Sequence, residues 1–147
     1  MDVQIENSQE AIPIPLKTIQ TTARDILNAL DSPDGELSIL IVDDARIAEL
    51  NLTYLNRTGP TNVIAFPMQE GAYSELTPNL LGDVVISVET AAREAEAAGM
   101  SLERRFNQLL VHGILHLFGY DHIHSEAAAA EMEKKSSELM EGIRGKW

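Results

Sequence analysis

His112-Gly113-Ile114-Leu115-His116-Leu117-Phe118-Gly119-Tyr120-Asp121-His122 holds three of the chain's four histidines within eleven residues. On a helix, His112 and His116 lie on one face about a turn apart. Gly119 is a natural terminator, because glycine readily takes the left-handed conformation that ends a helix and reverses the chain. That turn brings His122 back toward the other two imidazoles. Three neutral nitrogens then converge and leave a fourth position open for water, which is the pattern of a catalytic zinc rather than a structural one. The alternative is that each histidine is a partly buried, hydrogen-bonded core residue. An i, i+4 pair followed by a glycine turn and a third histidine argues for the metal.

Upstream, the same helix is expected from Ser101 to Phe118, and Phe106, Leu109, Leu110, Ile114, Leu115 and Leu117 make it central. Val3 to Glu6 alternates like a short strand, and Leu16, Ile19, Ala23, Ile26 and Leu27 then recur at helical spacing after Pro15. Glu36–Val42 is apolar and branched enough for a buried strand, and Asp43-Asp44 caps a helix with Ile47, Leu50, Leu52, Tyr54 and Leu55 as its apolar surface. Gly59-Pro60 is expected to break that helix, and Asn62 to Phe66 forms a strand closed by Pro67. Residues 68–80 look like a loop; a strand over Leu80–Val88, a helix over Glu89–Ala98 and a last helix from Ser125 to about Met140 complete the order. The sequence β-α-β-α-β-β-α-α-α predicts an α+β fold in one domain over residues 1–147. Its small mixed sheet, of about four strands, is covered by about five helices.

Composition excludes several classes. The chain contains no cysteine, so neither a disulfide framework nor a thiolate metal site is available, and any metal is held by histidine and carboxylate. No apolar run approaches the roughly 18 residues of a membrane span. Met1-Asp2-Val3-Gln4-Ile5-Glu6 lacks the basic and apolar regions of a secretory signal. A soluble cytoplasmic protein, with no membrane partner, is the expectation. A net charge of −12 argues against binding nucleic acid over the whole surface. Yet residues 101–147 carry six of the eleven basic side chains against seven acidic ones, so a local basic cleft on an acidic body is compatible with the sequence.

The spacing His-x-x-x-His-x-x-Gly-x-x-His looks like the zincin-type motif of metzincin proteases, with one difference. Those enzymes place Glu after the first histidine as general base for the attacking water. Here the position is Gly113, which cannot accept a proton, so metal hydrolysis is retained as a reading while the peptidase mechanism loses its central residue. Arg105 lies seven residues before His112 on the same face, with Gln108 between them. Arg105 either steadies a phosphate beside the metal or stands in solvent at the open end of an apolar helix. Asp121 either orients a ligand imidazole or bonds its own backbone in a turn, and His124 is expected at the surface. Arg57, in Arg57-Thr58-Gly59-Pro60-Thr61-Asn62, either presents a cation to an anionic substrate or sits exposed in a tight turn. Asp43-Asp44 is read as capping rather than as a catalytic acid pair.

Four segments together resemble the YbeY family of bacterial rRNA maturation factors. They are His112-Gly113-x-Leu115-His116-Leu117-x-Gly119-Tyr120-Asp121-His122, Leu50-Asn51-x-x-Tyr54, Pro60-Thr61-Asn62-Val63-Ile64-Ala65-Phe66-Pro67 and Leu81-Gly82-Asp83-Val84-Val85-Ile86-Ser87. The resemblance implies a single-strand-specific, metal-dependent endoribonuclease acting in 16S rRNA maturation and ribosome quality control. It implies one zinc ion per chain held by His112, His116 and His122, and as partners the rRNA of the small subunit together with ribosomal proteins. Family members carry Tyr-Arg at the helix end and Thr-Asp-Val-Leu-Ser-Phe in the strand. This chain has Tyr54-Leu55, with its arginine displaced to Arg57, and Asn62 and Ala65 in place of Asp and Ser. Arg57 and Arg105 are the candidate catalytic cations. A ribosome-assembly factor whose metal only holds the fold is the second reading, and a metallopeptidase the third.

Overall fold

In the computed structural model, His112 and His116 sit on a helix packed against a four-stranded mixed sheet. The structure describes residues 3–68, 79–121 and 123–147. The elements are β1 (Val3–Asn7), α1 (Leu16–Ala29), β2 (Glu36–Val42), α2 (Asp44–Leu55), β3 (Val63–Pro67), β4 (Leu80–Ser87), α3 (Val88–Ala98), α4 (Leu102–Leu117) and α5 (Glu126–Gly142). This is the expected order, and four strands with five helices are present among the described residues. The sheet order is β1-β2-β4-β3. β1 and β2 are parallel, as are β2 and β4, and β3 pairs antiparallel with β4 and forms an edge.

Alternation along the strands divides the sheet into two faces. Leu37, Ile39 and Ile41 of β2 and Val84 and Ile86 of β4 face the main core with Ile26 of α1 and Phe106, Leu110 and Ile114 of α4. The opposite face holds a smaller cluster of Val42, Ile47, Ile64 and Val85 under α2. Only Ile47 and Asn51 of α2 are buried; Leu52, Tyr54 and Leu55 are exposed, with Tyr54 meeting Phe66 edge-on. The helix stops at Asn56, whose φ of 54° is left-handed, rather than at the expected Gly59-Pro60 break. Asparagine tolerates that conformation because its short polar side chain bonds locally. The expected loop over 68–80 falls mostly on residues outside those described; Met68 continues the pairing, its N–H donating to Leu81 O at 3.0 Å.

α4 is defined at both ends by local chemistry. The Ser101 hydroxyl accepts from Arg104 N–H at the first turn. At the other end the Gly119 N–H donates to His116 O and the Tyr120 N–H to Leu115 O, both at 3.0 Å, with Gly119 at φ 90°. This paired closure satisfies the last carbonyls and needs a residue free to adopt positive φ. In its middle, α4 lies directly on the sheet at Gly113. A Cβ there would stand 2.7 Å from Val84 Cγ1 and 3.2 Å from Val63 Cγ2.

β2 and β4 end side by side, with Val42 opposite Ser87, so α2 and α3 begin as neighbours. Asp43 caps α2 as expected, accepting from Arg46 N–H at 2.8 Å. Asp44 does more than a cap. It accepts from the Ser87 hydroxyl at 2.7 Å, the Thr90 hydroxyl at 2.6 Å and Arg93 Nη1 at 2.7 Å, while its own N–H donates to Glu89. Burial works to raise the Asp44 carboxyl, but the hydrogen bonds from Arg93, Ser87 and Thr90 outweigh it and hold the group below its ordinary value. A carboxyl depressed in the folded state contributes stability that is complete above the unfolded value and is lost as pH falls through the folded one. Asp44→Ala is therefore expected to cost about 2 kcal/mol near neutral pH. Urea unfolding at a series of pH values should show the gap to the wild type narrowing below the ordinary carboxyl value of 3.8. A gap that stays constant through that range would contradict this account of Asp44.

Candidate metal centre and its cleft

Because Gly113 lets α4 lie flat beneath β3 and β4, the residues on either side of it emerge along the β3 edge. His112 and His116 are both half-buried there. Their Nε2 atoms approach to 3.0 Å, and the rings meet nearly edge-on with centroids 4.5 Å apart. Two imidazole nitrogens each about 2.0–2.1 Å from a tetrahedral metal stand roughly 3.3 Å from one another. The observed separation is within a few tenths of an ångström of that value. The spacing of the pair is compatible with two ligands of one metal ion. His122, the third expected ligand, lies outside the described residues. Among the described residues no cluster of three metal-ligating side chains forms, so the histidine pair is the observed part of the site.

The pair opens on a cavity of about 480 Å³ lined by Leu55, Arg57, Val63, Ala65, Pro67, Gly119, Tyr120 and Asp121, among others. β3 forms one wall, the end of α2 a second, and the turn after α4 a third. Arg57 is exposed and reaches this cavity, with no ion-pair partner among the described residues. Its backbone N–H is tied to Asn51 O at 3.2 Å, and the Asn51 side chain donates to Gly59 O at 2.9 Å, so the turn that carries it is anchored to α2.

Arg105 is placed differently. It lines a second cavity, of about 590 Å³, that also touches His112 but not Arg57. Its Nε donates to Glu94 at 3.0 Å and its Nη1 to Gln108 at 2.9 Å. Glu94 in turn accepts from the Asn62 side chain at 3.3 Å. The guanidinium is thus held beside the site with its charge already balanced by a carboxylate, an arrangement between the two alternatives the helical spacing left open. Glu94 lies on α3, so no periodicity within α4 could have announced it.

Asp121 accepts from Ile123 N–H at 2.7 Å and pairs with His124, which makes it a turn residue, one of the two roles the sequence left open. His124 is exposed at the surface, as expected. Ser125 caps α5, its hydroxyl accepting from Ala128 N–H at 3.0 Å. Gly113 itself borders the cavity, yet the clash a Cβ would meet leaves no room for a carboxylate at the position a metzincin uses.

Comparison with known proteins agrees with this architecture. The profile of Endoribonuclease YbeY matches residues 4–144. An Endoribonuclease YbeY of Syntrophotalea carbinolica is 49% identical over 143 residues, covering 97% of this chain and 95% of the relative. One of Geobacter sulfurreducens is 49% identical over 140 residues, covering 95% and 93% respectively. The solution structure of TM1509 from Thermotoga maritima superposes with a TM-score of 0.67 at 23% identity, covering 96% of this chain and 88% of that one, and so shares the fold. With matched sequence running from β1 past the end of α5 and the same fold beneath it, this chain belongs to the YbeY endoribonuclease family.

Proposed function

We propose that the protein is a zinc-dependent endoribonuclease that cuts single-stranded RNA during maturation of the 3′ end of 16S rRNA and in ribosome quality control. The observation that carries this reading is the approach of His112 and His116 Nε2, 3.0 Å apart, on a cleft also lined by Arg57, which has no ion-pair partner among the described residues. His112, His116 and His122 would hold one zinc ion per chain. When bound, such an ion lowers the pKa of its water toward neutrality and polarises a phosphoryl oxygen. The protein's own residues do the rest. Arg57 lines the same cleft and can balance charge that builds on the phosphate in the transition state. Arg105, held by Glu94, contributes a positioned but largely neutralised group next to His112. The partners are the rRNA and proteins of the small subunit, which places the work in the cytoplasm. Among the described residues no helix is long and apolar enough to cross a membrane.

Three outcomes follow. His116→Ala should lose stoichiometric zinc, because two remaining imidazoles bind too weakly to displace its water, and single-turnover RNA cleavage should fall with it. Metal analysis together with cleavage of a single-stranded oligoribonucleotide checks both, and tight zinc retained by that variant would refute the ligand assignment. Arg57→Ala should keep its zinc while cleavage drops, and the dependence of binding on salt should become shallower by roughly 0.7 in log–log slope for the lost phosphate contact. Unchanged cleavage across several salt concentrations would remove Arg57 from the mechanism.

Gly113→Glu tests the peptidase alternative. The new side chain must displace Val84 or Val63, so a loss of about 1–3 kcal/mol in unfolding free energy is expected. No peptide hydrolysis should appear, since the carboxylate has no space from which to serve as a base. Robust peptidase activity, in that variant or in the wild type, would overturn the nuclease reading.

A further inference from the structure

The cleft has a wall whose chemistry the metal site does not use: the outer edge of β3. Pairing parity along this strand is set by two hydrogen bonds, Ser87 N–H to Asn62 O and Met68 N–H to Leu81 O, both 3.0 Å. With Ala65 opposite Val84, these make Asn62 and Met68 members of hydrogen-bonded pairs. In an antiparallel ladder such pairs alternate. Ile64 and Phe66 therefore turn their N–H and C=O toward β4, and Val63, Ala65 and Pro67 turn theirs outward. Pro67 agrees with this, since proline is tolerated in an edge strand where its missing N–H faces away from the ladder.

The outward edge is not uniformly open. The Val63 N–H is taken by Asn62 Oδ1 at 2.7 Å, and Pro67 has no N–H. The Ala65 N–H has no hydrogen-bond partner among the described residues. One amide donor is thus left on this edge, flanked by its own carbonyl, on a half-buried residue that shares a cavity with His112 and His116. A half-buried amide left unmade costs free energy, and occupation by a ligand recovers it.

We propose that the Ala65 main chain is the seat of an unpaired nucleobase of the substrate strand, which it anchors by the Watson–Crick edge while the adjoining phosphate lies at the histidine pair. The proposal rests on the endoribonuclease reading and deepens it. An N–H beside a C=O suits a ligand edge that carries both an acceptor and a donor. A phosphodiester only accepts, so the carbonyl would repel it. Each of the four bases offers an adjacent donor and acceptor on its pairing edge, so this seat holds any base without selecting a sequence. In a duplex that edge is already occupied, so the same contact excludes paired RNA. Leu55, Tyr120 and Ile123 on the other walls supply apolar surface for the ring. An extended peptide would also match a strand edge. The family assignment favours RNA, and the peptide becomes an outcome of the test.

The decisive change replaces the Ala65 amide by an ester, introducing lactic acid at that codon in the full-length zinc-loaded protein. The exchange removes one outward N–H and also makes the Ile64 carbonyl, which faces β4, a weaker acceptor, so zinc content should match the wild type and thermal unfolding should fall only slightly. Ala65→Pro removes the same N–H by ordinary mutagenesis and serves as a second variant. Binding is read by fluorescence anisotropy with a phosphorothioate-linked oligouridylate and with its N3-methyluridine counterpart, whose pairing edge is blocked. The ester should weaken oligouridylate binding roughly tenfold and leave the already weaker N3-methyl oligonucleotide unchanged. Equal binding of oligouridylate by ester and wild type, or an equal loss on both oligonucleotides, overturns the proposal. So does a labelled extended peptide whose binding is lost in the ester variant while RNA binding is unmoved. Cleavage of an unmodified oligoribonucleotide is followed in parallel. If the wild type binds as expected but does not cut, the endoribonuclease reading fails and the base seat stands.

Discussion

Gly113 has no side chain where α4 crosses the sheet, and Val84 and Val63 fill the space a Cβ would need. A glycine in the middle of a helix costs about 1 kcal/mol relative to alanine. Here that cost is offset by dense packing of α4 against β3 and β4, and it sets the height at which the helix lies. His112 precedes this contact and His116 follows it by less than a turn, so both imidazoles rise along the β3 edge instead of into the core. The same closeness that builds the histidine pair removes any place for an adjacent carboxylate base. The placement of the histidine pair and the lack of room for an adjacent carboxylate are two consequences of one packing constraint.

Electrostatics then distinguish the two sides of the histidine pair. A chain with net charge −12 can hold a polyanion only where a cation is exposed and not already matched. Arg105 is matched: Glu94 takes its charge, and Asn62 holds Glu94 in place. Arg57 is carried by a turn fastened to α2 through Asn51 and faces the cleft without such a partner among the described residues. The two arginines line different cavities that share His112 and present different potentials to a phosphate. The Asp44 cluster belongs to another part of the molecule. It joins the first turns of α2 and α3, and through α2 it steadies the segment that carries Arg57.

Much of this fold was legible along the chain. The apolar periods located every helix and strand, and Asp43 was recognisable as a cap because a cap bonds a backbone amide only a few residues away. The end of α2 was misplaced because Asn56 adopts a left-handed conformation that its neighbours do not advertise, whereas Gly59-Pro60 is a conspicuous breaker. Leu52 and Tyr54 read as packing surface but are exposed, since α2 covers only part of its face of the sheet.

The sequence by itself determined that His112 and His116 share a helical face and that the helix ends at Gly119, because both follow from backbone geometry within a few residues. It also determined that Gly113 carries no base. Only the tertiary structure decided that β3 is an edge strand, that the Ala65 amide is its one outward donor without a partner among the described residues, and that Arg105 is matched by a carboxylate while Arg57 is not. Those facts depend on pairing between segments far apart in the chain. Strand order and ion-pair choice are set by which surfaces meet when the core closes, and no local pattern of residues encodes that meeting.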